Sequence, residues 1–223
     1  MLRRFFSNFA QRTRSRSSSN HYSPLEARHL LASIDLVGSE LFVRGTTGDD
    51  TIQLVETSTD GFSVSIDNEG LVEDFAYSDV TEVTVIAQGG DDRVTNNLNV
   101  GTRLFGQAGN DSLQGGMLDD RIIGGIGNDI LIGQHGDDFL LGAEGDDLLN
   151  GNGGEDLIFA GAGDDRVNGG MGVDNIFGLS GNNMLFGNGG DDIIVGGSGI
   201  DQVFGGSGND RLVVTPATMF IDL

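Results

Sequence analysis

The chain has 223 residues and a formal net charge of −22, with 38 glycines, no cysteine, no tryptophan and 37% apolar residues, a poor supply for an ordinary globular core. The absence of cysteine excludes disulfides and thiolate metal sites, and all twelve basic residues are arginine, which leaves no lysine for acylation or Schiff-base chemistry. The acidity disfavours nucleic acid and anionic membrane as partners and favours multivalent cations, and no apolar run of about 18 residues is present to span a bilayer.

Residues 1–34 carry six Arg against Glu26, so the remainder of the chain holds a net −27. Residues 1–22, rich in Arg, Ser and Asn without periodicity, read as a disordered basic leader. Arg3-Arg4-Phe5-Phe6 has a twin-arginine look, but no apolar segment of roughly 7 to 15 residues follows it. Ser23 and Pro24 suit an N-cap and a first helical position, and Leu25, Leu30 and Leu31 give a short helix an apolar face. The stretch Leu25-Glu26-Ala27-Arg28-His29-Leu30-Leu31-Ala32 resembles the Leu-Glu-Pro-Arg-x-Leu-Leu motif of exported bacterial surface proteins, with Ala27 where proline is usual. That resemblance implies an extracellular or cell-surface protein.

From residue 35 to 105 the pattern turns to β. Leu41–Val43, Thr51–Leu54, Phe62–Ile66 and Val83–Ile86 are short runs rich in β-branched and aromatic residues, separated by Gly, Asp and Asn turns. Gly48-Asp49-Asp50-Thr51-Ile52 and Gly90-Asp91-Asp92-Arg93-Val94 match the second half of the repeat that follows, as though a solenoid began with two wide, irregular coils. This region is expected to be an irregular β cap, which a stack of coils needs at its open end.

Residues 106–213 are one nine-residue unit written twelve times, G-x-x-G-x-D-x-U-x with U aliphatic. Position 1 is Gly except at Ala160, position 4 is Gly except at Leu118, position 6 is Asp except at Asn183, and position 8 is Leu, Ile or Val throughout. Six residues per unit are expected to turn and three to extend, with position 8 pointing inward and eighteen residues completing one coil. Glycine-rich turns curl the backbone so that carbonyls point inward beside a carboxylate, and such hard oxygen donors in a flexible loop suit Ca²⁺. Mg²⁺ demands a stricter octahedron, and Zn²⁺ wants imidazole or thiolate ligands that the array lacks. The last ten residues, 214–223, are too few for a second domain, and their acid set among apolar residues faintly resembles bacterial export signals.

The repeat resembles the RTX family of bacterial exported proteins, whose nonapeptide it matches over 106–213. The resemblance implies an all-β fold, a right-handed parallel β-roll built as a two-sheet solenoid, with ions between turns stacked eighteen residues apart. One ion row would then use Asp111, Asp129, Asp147, Asp165, Asn183 and Asp201, and the other Asp120, Asp138, Asp156, Asp174, Asp192 and Asp210. Five gaps per row would hold up to about ten calcium ions in all. Asn183 and Leu118 are the expected weak points.

Residues 106–213 hold three Arg against eighteen acids, a net −15, so an ion-free chain is expected to be largely disordered and calcium to complete the fold. Ile123, Leu141, Phe159, Phe177, Val195 and Val213, all at position 9, should form an apolar ladder on one sheet. It would serve either simple ladder packing or a face for a protein partner or self-association. No catalytic constellation is present: His21, His29 and His135 are scattered, and adjacent carboxylates do not face one substrate bond. The composition and repeat point to a calcium-binding structural or surface module. The alternatives are a truncated or non-catalytic relative of an RTX toxin or hydrolase, and a calcium-dependent adhesin.

Overall fold

A computed structural model of the chain describes residues 32–213 and 220–222. The expected leader, the helix and export-like motif before Ala32, and residues 214–219 lie outside the described residues.

The first strands are β1 (Ser33–Val37), β2 (Glu40–Arg44), β3 (Thr51–Ser58), β4 (Gly61–Ile66), β5 (Leu71–Ala76), β6 (Glu82–Gly89), β7 (Arg93–Asn97), β8 (Thr102–Ala108) and β9 (Ser112–Gln114). Eight strands of six residues follow, β10 to β17: Arg121–Ile126, Ile130–His135, Phe139–Glu144, Leu148–Gly153, Leu157–Ala162, Arg166–Met171, Asn175–Ser180 and Met184–Gly189. The last are β18 (Ile193–Val195), β19 (Gln202–Ser207), β20 (Arg211–Val213) and β21 (Phe220–Asp222).

Successive strands of the repeat region alternate between two sheets, one running β1-β2-β6-β8 and then by even numbers to β20, the other β21-β19 and down by odd numbers to β7, then β3-β4-β5. Within the repeat region, neighbours in each sheet are parallel and eighteen residues apart, as in Ile122↔Leu140 and Leu131↔Leu149. This is the expected two-sheet β-solenoid. The division of each unit differs from the expectation of six turning and three extended residues. Strands β10 to β17 each run through positions 7, 8 and 9 and on through positions 1, 2 and 3 of the next unit, leaving only positions 4 to 6 as the corner. Coils that run parallel pair their main chains regardless of side chain, so glycine at position 1 does not end the strand.

Alternation along each strand turns positions 6, 8 and the following 1 inward. Leu104, Leu113, Ile122, Leu131, Leu140, Leu149, Ile158, Val167, Ile176, Leu185, Ile194 and Val203 form the interior, all fully buried, with Leu212 partly covered at the end. One aliphatic per nine residues makes a narrow core, and much of the cohesion falls to hydrogen bonds along and between the turns.

The cap has a more ordinary core. The antiparallel hairpins β3-β4-β5 bury Ile52, Leu54, Phe62, Val64 and Ile66, and the Phe62 ring lies 5.7 Å from Phe75 and 5.2 Å from Tyr77. Strand β1 folds back antiparallel on β2, so both sheets begin with antiparallel strands that cover the first parallel edge. The expected strands at 41–43, 51–54, 62–66 and 83–86 are all present. Strand β5, Leu-Val-Glu-Asp-Phe-Ala, had no such signature because Glu73 and Asp74 stand exposed on the outermost strand of its sheet.

The position 9 ladder packs upon itself. Phe159 and Phe177 stack with centroids 4.9 Å apart and planes at 13°, the position 7 ring of Phe139 lies 5.8 Å from Phe159, and Ile123, Leu141 and Val195 are half-buried, while Val213 at the end is exposed. A second stack, Phe186 on Phe204 at 4.8 Å, lies on the other sheet.

Candidate metal centre

The position 6 side chains form two continuous files along the two turn edges of the solenoid. In each file a carboxylate Oδ1 accepts the backbone N–H of the position 6 residue one coil earlier. Asp111 N–H donates to Asp129, Asp129 to Asp147, Asp147 to Asp165, Asp165 to Asn183 and Asn183 to Asp201, at 2.7–3.0 Å. On the other edge Asp120 donates to Asp138, then Asp156, Asp174, Asp192 and Asp210 follow in the same way at 2.8–3.0 Å. The structure thus brings together all eleven aspartates expected from the sequence, in the two rows expected. Ten of them are buried, and Asp210, at the end of its row, is half-buried.

The second oxygen of these carboxylates is the chemically open one. Oδ2 of Asp111, Asp129, Asp138, Asp147, Asp156, Asp165, Asp174, Asp192 and Asp201 is buried without a hydrogen-bond partner. Buried anionic oxygens of this kind demand a proton or a cation. Their pKa values report the same stress: burial pushes the Asp138 carboxyl up to about 8, Asp147 and Asp174 to about 7, and Asp129, Asp156 and Asp165 to about 6. The backbone donor in each case opposes this rise; neighbouring aspartates of the file add to it at Asp129, Asp138, Asp147 and Asp174, and position 5 aspartates add to it at Asp156 and Asp165.

Main-chain carbonyls supply the rest of the oxygen set. A Cβ added at Gly151 would lie 2.6 Å from the Gly169 carbonyl oxygen of the next coil, and it would also meet Asp156 Oδ2. At position 4, Gly127 adopts a φ of +130°, and a Cβ added there would meet the Gly109 carbonyl oxygen of the preceding coil. Carbonyl oxygens of adjacent coils thus lie against the turns at positions 1 and 4, and at Gly151, in position 1, one lies beside the open carboxylate oxygen. Among the described residues no three carboxylate or imidazole side chains converge on one point, so an ion here draws much of its coordination from the main chain. A flexible, all-oxygen donor set of this kind fits Ca²⁺.

Both expected weak points are distinct. Asn183 keeps the file intact through its Oδ1, but its Nδ2 is a buried donor without a partner where its neighbours present an acceptor. Leu118 does not take a positive φ at position 4, and the strand before its turn stops at Gln114. Its turn instead closes on Asp120. Thr102 donates to Asp120 Oδ1 through both N–H and Oγ1 at 2.6 Å, and Gly116 N–H donates to Oδ2 at 2.6 Å, so both Asp120 oxygens are engaged.

One feature went unread in the sequence and a second was half read. Position 5 forms an outer polar file of opposite sense, in which a side-chain Oδ1 accepts the N–H of the next coil: Asp119 from Asp137, Asp137 from Glu155, Asn128 from Asp146 and Asp146 from Asp164, at 2.8–2.9 Å. The signal was present, since ten of twelve units carry Asp, Asn or Glu there. The second feature lies upstream: the inner file continues through Asp92 and Asp50 in the cap. His135, the one histidine among the described residues, is exposed at the end of β11.

A parallel two-sheet solenoid whose turn edges carry files of buried, half-satisfied carboxylates is a calcium-binding β-roll. The profile of the RTX calcium-binding nonapeptide repeat (4 copies) matches residues 101–117, 114–149, 141–176, 150–185, 168–203 and 186–214, together just over half of the chain, and the chain belongs to this family. Its repeats bind several Ca²⁺ ions. A comparison with curated proteins found no match.

Proposed function

We propose that this chain is an extracellular or cell-surface module that folds on meeting calcium and serves as a structural or binding element, with Asp111, Asp129, Asp147, Asp165 and Asp201 serving one ion row and Asp138, Asp156, Asp174, Asp192 and Asp210 the other. The observation that carries this reading is the set of nine buried Oδ2 atoms without partners, of which those of Asp111, Asp138, Asp147, Asp156, Asp174 and Asp192 lie at a position 1 glycine that also meets a carbonyl oxygen of the next coil. With the repeat region at a net −15, the stacked turns repel one another until divalent ions neutralise them. Asp120 is the expected ligand whose role becomes local, because hydrogen bonds within its own turn and from Thr102 already engage both its oxygens.

Extracellular calcium modules bind at about 10⁻⁴ to 10⁻³ M, far above cytosolic free calcium, which would keep the chain unfolded inside a cell and fold it outside. RTX repeat proteins are typically secreted, which supports that location. The roll is a structural calcium-binding module, and no catalytic role is assigned to it. Isothermal calcium titration with parallel circular dichroism tests the reading. Uptake of several ions together with a gain of β signal is expected, and β signal unchanged in excess chelator would overturn it.

A further inference from the structure

The family match starts at residue 101, yet the file of inward carboxylates starts 51 residues earlier. Asp92 N–H donates to Asp111 Oδ1 at 2.8 Å and Asp50 N–H to Asp92 Oδ1 at 2.7 Å, the same bond that links every repeat. Residues 87–95 are in fact a full unit, stacked on residues 106–114 at a spacing of 19 rather than 18, with Ala87 at position 1, Gly90 at position 4, Asp92 at position 6 and Val94 at position 8. Alanine at position 1 also occurs at Ala160 inside the repeat array, and both alanines are fully buried.

The backbone of this turn is that of the repeats. Gln88 at position 2 has a φ of +88°, as do Gln107 at +82° and Gln134 at +88°, and Gly90 at position 4 has +106°, against +105° at Gly136. Strand β6 pairs with β8 through Gln88↔Gln107 and Gly89↔Ala108, and the Gly90 carbonyl points at Gly109 as Gly109 points at Gly127. Asp92 is 2% exposed, and its Oδ2 is buried without a partner. Turn 87–92 thus presents the position 4 carbonyl contact with the next coil, the corner geometry and the open carboxylate oxygen found in the repeats.

The file closes one turn further on. Asp50 Oδ2 already accepts Thr46 N–H at 2.5 Å and Thr46 Oγ1 at 3.0 Å, and the Gln88 side-chain amide donates to the Gly45 carbonyl. No positive φ occurs at Thr46. Thr46 stands to Asp50 as Gly116 stands to Asp120, four residues earlier in the same turn, and Asp50 Oδ1, which accepts no N–H from another coil, is buried without a partner as the first of its file.

We propose that turn 87–92 is a further calcium site, outside the matched repeats, in which Asp92 and the carbonyls between turns 87–92 and 106–111 hold an ion that fastens the cap to the roll. The proposal rests on the reading that the repeat files bind calcium. The two edges are then unequal, one row reaching into the cap and the other stopping at Asp120.

The test counts ions by native mass spectrometry of the full chain in calcium, comparing the wild type with Asp92→Asn and Asp147→Asn. Asparagine keeps the Oδ1 acceptor, and Asn183 shows that the file tolerates it. Both variants are expected to bind fewer ions than the wild type. If Asp147→Asn loses ions and Asp92→Asn does not, the cap site is overturned while the repeat sites stand; if the wild type takes up none, the underlying reading fails. Should Asp92→Asn not fold, hydrogen exchange of the wild type decides: amides of residues 87–97 gaining protection at the same calcium concentration as those of residues 124–150 supports the site. Equal protection of residues 87–97 with and without calcium overturns it.

Discussion

Without calcium, the folded roll should be more stable in mild acid than at alkaline pH. The carboxyls of Asp92, Asp147 and Asp174 are raised to about 7, Asp138 to about 8, and Asp129, Asp156 and Asp165 to about 6, chiefly by burial, against an unfolded value near 3.8. A folded pKa above the unfolded one gives stability that is complete below about 3.8 and is lost as pH rises through about 6 to 8. A rise from 3.8 to about 6 corresponds to about 3 kcal/mol per ionised group, and solvent at the turn surface reduces that to about 1 kcal/mol. Seven such groups oppose folding at alkaline pH by about 7 kcal/mol, comparable with the whole stability of a small domain, about 5 to 15 kcal/mol. Circular dichroism in excess chelator, scanned from about pH 8 to about pH 5 at low protein concentration with sedimentation to exclude aggregates, should show β signal growing as pH falls. With saturating calcium the signal should be full at about pH 8, and the calcium needed should rise as protons compete below about pH 7. A chelated chain equally folded at both ends of the scan, or one that loses β signal on acidification, would rule out ionisation of the buried carboxylates as the obstacle to ion-free folding.

Two further outcomes follow from the same geometry. Asn183→Asp replaces the buried, unpartnered Nδ2 with an acceptor oxygen, so the calcium midpoint of folding should fall by roughly tenfold, about 1.4 kcal/mol; a midpoint unchanged or raised in titrations followed by circular dichroism would count against Asn183 as a defect in its row. Leu149→Ala empties a fully buried position in register with Leu131 and Val167 and should cost about 2 to 5 kcal/mol, seen as a lower Tm in saturating calcium, whereas Leu148→Ala on the exposed side should change Tm little.

Much of the roll was legible because its chemistry is local and periodic. The position 8 aliphatics announced the interior, the position 6 aspartates announced two rows, and Asn183 and Leu118 stood out as departures from a strict pattern. The cap strands at 41–43, 51–54, 62–66 and 83–86 were readable from β-branched and aromatic runs, whereas β5 was masked by two exposed acids. The first turns of the file were only half legible. Asp50 and Asp92 carried the right local pattern, but 42 residues separate them, a hairpin excursion that no fixed period reveals.

Coil length, the inward aliphatic and the acidic turn can be read from the chain alone, because each depends on residue type at a fixed spacing. Folding sets how far each strand runs, which carboxylate oxygen is spent on a neighbouring N–H and which is left open, and where each row ends. Those outcomes depend on what the adjacent coil presents. Asp92 and Asp120 show the difference: both are aspartates at position 6, but one keeps a buried oxygen free and the other is closed by Thr102 and Gly116.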